Sequence, residues 1–80
     1  MKLKILLFGI STDLIGAKSI FFSIPSDSTV SEFKTQLQKK YPQLNEIDSY
    51  AIAVNESYAT NKTLLKENDL IAIIPPVSGG

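Results

Sequence analysis

Two apolar runs stand at opposite ends of the chain, Ile5-Leu6-Leu7-Phe8 and Leu70-Ile71-Ala72-Ile73-Ile74, and both are hydrophobic at odd and even positions alike. A strand with one wet face alternates apolar and polar residues, whereas a run apolar at both parities has both faces near other protein. The two runs are therefore expected to be the centre of one sheet, lying side by side and parallel. In the first run, which opens as Lys2-Leu3-Lys4, Leu3, Ile5 and Leu7 share one face and Leu6 and Phe8 the other.

Between the runs the pattern changes period. Gly9 to Gly16 holds Ser11, Thr12 and Asp13, residues that favour turns, so it is expected to be a long turn into a second strand, Lys18 to Ile24, with Ile20, Phe22 and Ile24 in phase. Pro25-Ser26-Asp27-Ser28 breaks that strand. Thr29-Val30-Ser31-Glu32 then has the spacing of a capping box, and Val30, Phe33, Leu37 and Tyr41 recur at helical spacing until Pro42 ends the helix.

The remainder is built from short pieces. Gln43 to Ser49 is expected to be loop or a short turn with Leu44 and Ile47 tucked beneath it, and Tyr50 to Asn55 a third strand. Asn55-Glu56-Ser57 turns into a short edge strand at Tyr58-Ala59-Thr60, Leu64 and Leu65 anchor a crossover, and Asn68-Asp69 makes the last turn, Asn68 tolerating left-handed backbone. The sum is an α+β domain: a mixed sheet of four to five strands with one main helix on one face. A single helix covers a single face. Leu6, Phe8 and Ile74, with Tyr58 beside them, are left on the open face, an apolar patch that suits a protein partner.

Composition removes several classes of function. The chain has 80 residues, enough for one core. Its 8 basic residues are all lysine, balanced by 8 acidic ones and dispersed among them. The guanidinium fork that grips phosphates and base edges is thus missing, and no nucleic-acid or membrane patch is expected. The absence of cysteine and histidine removes the thiolate nucleophile, the disulfide framework and the usual neutral-pH base, so catalysis by its own side chains is not expected. No apolar run is long enough for a signal peptide core or a membrane span, so a reducing, cytoplasmic setting is the expectation.

The segment Pro75-Pro76-Val77-Ser78-Gly79-Gly80 follows the last apolar run. The prolines lack N–H groups and fix φ, so they stop the strand and project the chain as a stiff stalk. Gly79 and Gly80 have no Cβ to obstruct an approaching backbone or phosphate, and the end is a free carboxylate that a narrow channel can accept. The expected division is a domain over residues 1–76 and a flexible tail over 77–80.

These features together resemble the ubiquitin-like β-grasp sulfur carriers, and within them the small subunits of molybdopterin synthase. The resemblance spans essentially the whole chain, and rests on Lys4-Ile5-Leu6-Leu7-Phe8, Thr29-Val30-Ser31-Glu32-Phe33, Ala53-Val54-Asn55, Asn68-Asp69 (where Gly-Asp is usual) and Ile73-Ile74-Pro75-Pro76-Val77-Ser78-Gly79-Gly80. It implies that a ubiquitin-activating-like adenylyltransferase uses ATP and Mg²⁺, neither held by this chain, to adenylate the Gly80 carboxylate. A sulfur donor protein then supplies persulfide sulfur, and the resulting thiocarboxylate serves a cyclic pterin monophosphate in the large synthase subunit, in a heterotetramer of two small and two large subunits. Gly79 and Gly80 would be the reacting end, the nucleotide contact of this chain being made there. Pro75, Pro76, Val77 and Ser78 would thread the partner, and Phe8, Tyr58 and Ile74 would form the docking patch. Val77 to Gly80 spans about 13 Å when extended. A carrier for thiazole synthesis and a ubiquitin-like protein modifier are the alternatives.

Overall fold

The structure, a computed structural model that describes residues 1–47 and 49–76, pairs the two apolar runs as neighbours. Strands β1 (Lys2–Leu7) and β5 (Leu70–Ile74) are parallel, with Ile5 opposite Ile71 and Leu6 opposite Ala72. Strand β2 (Ser19–Ser23) lies antiparallel on the outer side of β1, and β3 (Ala51–Val54) antiparallel on the other side of β5, followed by the two-residue β4 (Ser57–Tyr58). The order β2-β1-β5-β3-β4 puts β5 at the middle of a five-stranded mixed sheet.

Parity decides what each central strand buries. Leu3, Ile5 and Leu7 of β1 and Ile71 and Ile73 of β5 turn inward and are buried, beneath helix α2 (Val30–Lys40). The capping box starts α2 as the sequence predicts: Thr29 Oγ1 accepts from the Glu32 N–H at 3.2 Å, and Glu32 Oε1 accepts from the Thr29 N–H at 3.0 Å. Val30, Phe33 and Leu37 fill the core, and the Phe33 ring meets Phe22 edge-on, with centroids 5.9 Å apart. Tyr41 leaves the helical region ahead of Pro42, which opens a 3₁₀ turn (Pro42–Glu46) that buries Leu44. This is the β-grasp arrangement, with one main helix held against one face of the sheet.

Three expectations need correction. The long turn at Gly9 to Gly16 contains a helix, α1 (Ile10–Ile15). Its polar residues do not compete with it, because Ser11 is fully buried and spends its hydroxyl on the turn before the helix, donating to Phe8 O at 2.6 Å and accepting from the Phe8 N–H at 3.1 Å. Leu14 and Ile15 pack against the core, and Gln43 Nε2 donates to the Leu14 carbonyl, one of the acceptors that a helix end leaves unpaired. The edge strand is shorter and earlier than Tyr58 to Thr60, because Thr60 is drawn into a turn in which its N–H donates to Thr63 Oγ1 at 3.1 Å. Only one of the paired leucines anchors the crossover. Thr29 and Leu64 form an isolated antiparallel bridge, and in such extended backbone successive side chains point to opposite sides, so Leu65 is buried while Leu64 is 57% exposed.

The last turn follows the sequence closely. Asn68 is left-handed at φ 70°, Asp69 Oδ2 accepts from the Lys66 N–H, and Asp69 Oδ1 accepts from Asn55 Nδ2. Asn55 Oδ1 in turn accepts from the Leu70 N–H, so this pair of loops fixes where β5 begins.

Candidate docking face and tail root

The face of the sheet opposite α2 carries one row of residues that crosses four strands. Leu6 stands opposite Ala72, Ala72 opposite Ala53, and Ala53 opposite Tyr58. Two adjacent alanines between two large side chains make a trough, and the result is an open depression of about 340 Å³ walled by Leu6 and Phe8 on one side and Tyr58 on the other. Ile74 and Leu70 line its ends, and Glu56 is the one charged residue among those that line it. Phe8 is 49% and Tyr58 76% exposed, and with Leu6 and Ile74 they line one continuous apolar hollow, the kind of patch that suits an interaction surface.

Phe8 is held in place from below. It follows β1, and both its backbone groups are bound to the hydroxyl of the buried Ser11. Its neighbour Gly9 has φ 56° and ψ −137°, a combination that glycine alone adopts at low cost, and this lets the chain swing from β1 straight into α1. A Cβ built on Gly9 would lie 3.6 Å from Pro75 Cγ, so the bend that sets Phe8 also passes beside the first of the two prolines that follow β5.

The root of the tail has its own hollow, again of about 340 Å³, lined by Tyr50, Ala51, Tyr58, Ile74, Pro75 and Pro76. Tyr58 and Ile74 belong to both hollows, so the apolar face continues without a break to the point where the tail departs. Tyr50 accepts a hydrogen bond from Gln38 Nε2 at 2.9 Å, and Lys34 Nζ sits 5.1 Å from its ring centroid. Burial pushes the Tyr50 phenol above its ordinary range, and the Gln38 bond offsets this only in part.

Of the residues that the sequence singles out, Phe8, Tyr58 and Ile74 come together on this face, and Pro75 and Pro76 adjoin it. Val77, Ser78, Gly79 and Gly80 lie outside the described residues. Sequence reasoning missed Ser11, Gly9, Ala53 and Ala72. The alanines were within reach, since strand parity puts Ala72 on the same face as Ile74, but alanine draws no attention as a docking residue. Among the described residues no group of His, Cys, Asp or Glu is arranged to hold a metal, and no helix is long and apolar enough to cross a membrane.

The arrangement is an apolar hollow that reaches Pro75 and Pro76, the last of the described residues. The model of the ThiS family matches residues 5–80. This chain belongs to the ThiS family. It is also 37% identical, over all of its length and 84% of the relative's, to a molybdopterin synthase sulfur carrier subunit of Arabidopsis thaliana. To the protein of the same name in Dictyostelium discoideum it is 42% identical, covering 96% of this chain and 94% of that one. Among solved structures, subunit 1 or 2 in the complex of the two subunits of molybdopterin-converting factor from Helicobacter pylori is similar over the whole of both chains, at 32% identity and a TM-score of 0.71. The small archaeal modifier protein 1 of Methanosarcina acetivorans is similar at 28% identity and a TM-score of 0.81, covering 99% of this chain and 96% of that chain. Membership in the ThiS family agrees with the β-grasp architecture.

Proposed function

We propose that this ThiS-family chain is the sulfur carrier subunit of a molybdopterin synthase, docking on a large catalytic subunit by its open sheet face and presenting its carboxyl end to that subunit's active site. One observation carries the geometry of this reading. β5 supplies Ala72 and Ile74 to the apolar face and is followed directly by Pro75 and Pro76, so the residues that precede the tail adjoin the seat. Full-length similarity to proteins named as sulfur carrier subunits supports the activity, and the two-subunit complex from Helicobacter pylori supports a large-subunit partner.

The chemistry follows from what the tail offers. A carboxylate is a poor electrophile, and adenylation of Gly80 by an activating enzyme with ATP and Mg²⁺ makes it a mixed anhydride with AMP as leaving group. Attack by the persulfide sulfur of a donor protein expels AMP, and a second thiol then attacks the donor-side sulfur of the acyl disulfide so formed, becoming a disulfide with the donor and leaving a terminal thiocarboxylate. The sulfur then passes to a pterin in the large subunit. Gly79 and Gly80 keep both active-site channels passable, and the rigid prolines hold the globular body outside them. This chain needs no thiol or base of its own, in keeping with a sequence that has neither cysteine nor histidine.

Intact-mass measurement after incubation with the adenylating enzyme, ATP and a sulfur source tests the reading. One oxygen replaced by sulfur is expected, with no change for a chain extended by one residue after Gly80. A second reading, a protein modifier, draws on the likeness to the archaeal modifier protein. Lysine adducts ending in Gly80, formed without thiocarboxylate, would establish it instead.

A further inference from the structure

The turn joining β3 to β4 has two central residues, Asn55 and Glu56, both with positive φ, at 50° and 71°. Hairpins of this type strongly favour Asn-Gly, because the second position costs a residue with a Cβ energy that glycine does not spend. Asn55 fits the rule and works for the fold, with its side chain binding Asp69 and the Leu70 N–H. Glu56 breaks the rule and takes no part in those bonds. Its side chain is exposed, and it is the one charge lining the otherwise apolar trough between Phe8 and Tyr58. A strained residue whose side chain makes no hydrogen bond among the described residues, set at the rim of an apolar seat, is placed for a partner.

We infer that Glu56 is a specificity-determining residue of the docking face, and that the partner presents a lysine or arginine side chain opposite it when its apolar surface covers Phe8, Ala72 and Tyr58. This rests on the reading of that face as the seat of the large synthase subunit. An apolar trough attracts many surfaces, and a single carboxylate at its edge fixes the orientation of the right one and penalises those that bring an acid there. The pair lies at the rim, where it remains partly hydrated, so its contribution is modest in strength and sensitive to salt.

The test is titration calorimetry of the large synthase subunit from the same organism with the wild-type chain, Glu56→Gln, Glu56→Gly and Phe8→Lys, at low and high salt. Both Glu56 variants are expected to bind about fivefold more weakly at low salt and to lose most of the salt dependence of the wild type. Glu56→Gly is expected at the same time to melt at a higher temperature than wild type, because it relieves the positive φ, which separates loss of a contact from loss of the fold. Unchanged affinity and unchanged salt slope in both Glu56 variants, with Phe8→Lys failing to bind, would overturn the role of Glu56 and leave the seat intact. Normal binding by Phe8→Lys would overturn both the seat and this inference.

Discussion

Replacing Phe8 with lysine separates a docking residue from a core residue, because the two roles predict opposite outcomes in two assays. Phe8 is 49% exposed and lies outside the buried core cluster. An aromatic side chain that is fully covered buries about 150–250 Å², so a partner has roughly 100 Å² of Phe8 left to cover. At about 25 cal/mol per Å² this corresponds to about 2.5 kcal/mol, or roughly 70-fold in Kd, as a ceiling before the cost of ordering the interface. The lysine adds the penalty of bringing an ammonium group to an apolar surface, so calorimetry against the large subunit should show binding weakened by roughly that factor or more. In the free protein the aliphatic stem of lysine can lie along the strand while its charge stays in water, and the melting temperature should fall by only a few degrees, the response to a loss of about 0.5–1 kcal/mol in a domain of this size. A collapse of the thermal transition, or undiminished affinity, would refute the placement of Phe8 at the interface.

Two further outcomes follow from the fold. Thr29→Ala removes the hydroxyl half of the capping box that begins α2, and should cost about 1 kcal/mol, seen as a drop of about 4–8 °C in the melting temperature with docking affinity unchanged. Tyr50 has its phenol raised by burial, so the folded chain holds that proton at a pH where the unfolded chain has released it; stability is present below about pH 10 and is lost as pH rises through the folded value. Denaturation followed between pH 9 and 11 should therefore show a shallower fall for Tyr50→Phe than for the wild type, and equal slopes would mean that the phenol is not desolvated.

Much of this architecture was legible because it depends on side-chain parity. The two runs apolar on both faces could only be central strands, and the inward set Leu3, Ile5 and Leu7 and the outward pair Leu6 and Phe8 follow from alternation alone. The start of α2 was legible for a different reason, since Thr29 and Glu32 satisfy each other's N–H groups locally. What escaped was decided by tertiary contacts. Helix α1 is six residues long, too short for a periodic stripe, and its order comes from a buried serine and a distant glutamine that no local pattern reveals. The trough escaped because its floor is made by what Ala53 and Ala72 lack, and a missing side chain matters only when the strands on either side bring large ones. Asn68, standing where Gly-Asp is usual, was readable as a left-handed turn residue and is one.

The central place of β5 also governs the order of events during synthesis. Among the described strands β1 emerges from the ribosome first, yet its parallel neighbour is the last of them to emerge, and β3 waits for that same strand on its other side. Until Leu70 to Ile74 is released, the nascent chain holds two halves of a sheet with an empty slot between them, an arrangement that buries too little to persist. The domain therefore completes its fold only when the segment bearing the tail is already made. A chain cut short before β5 has no seat to offer, so a large subunit that selects its partner by that seat is protected from carriers that have nothing to carry.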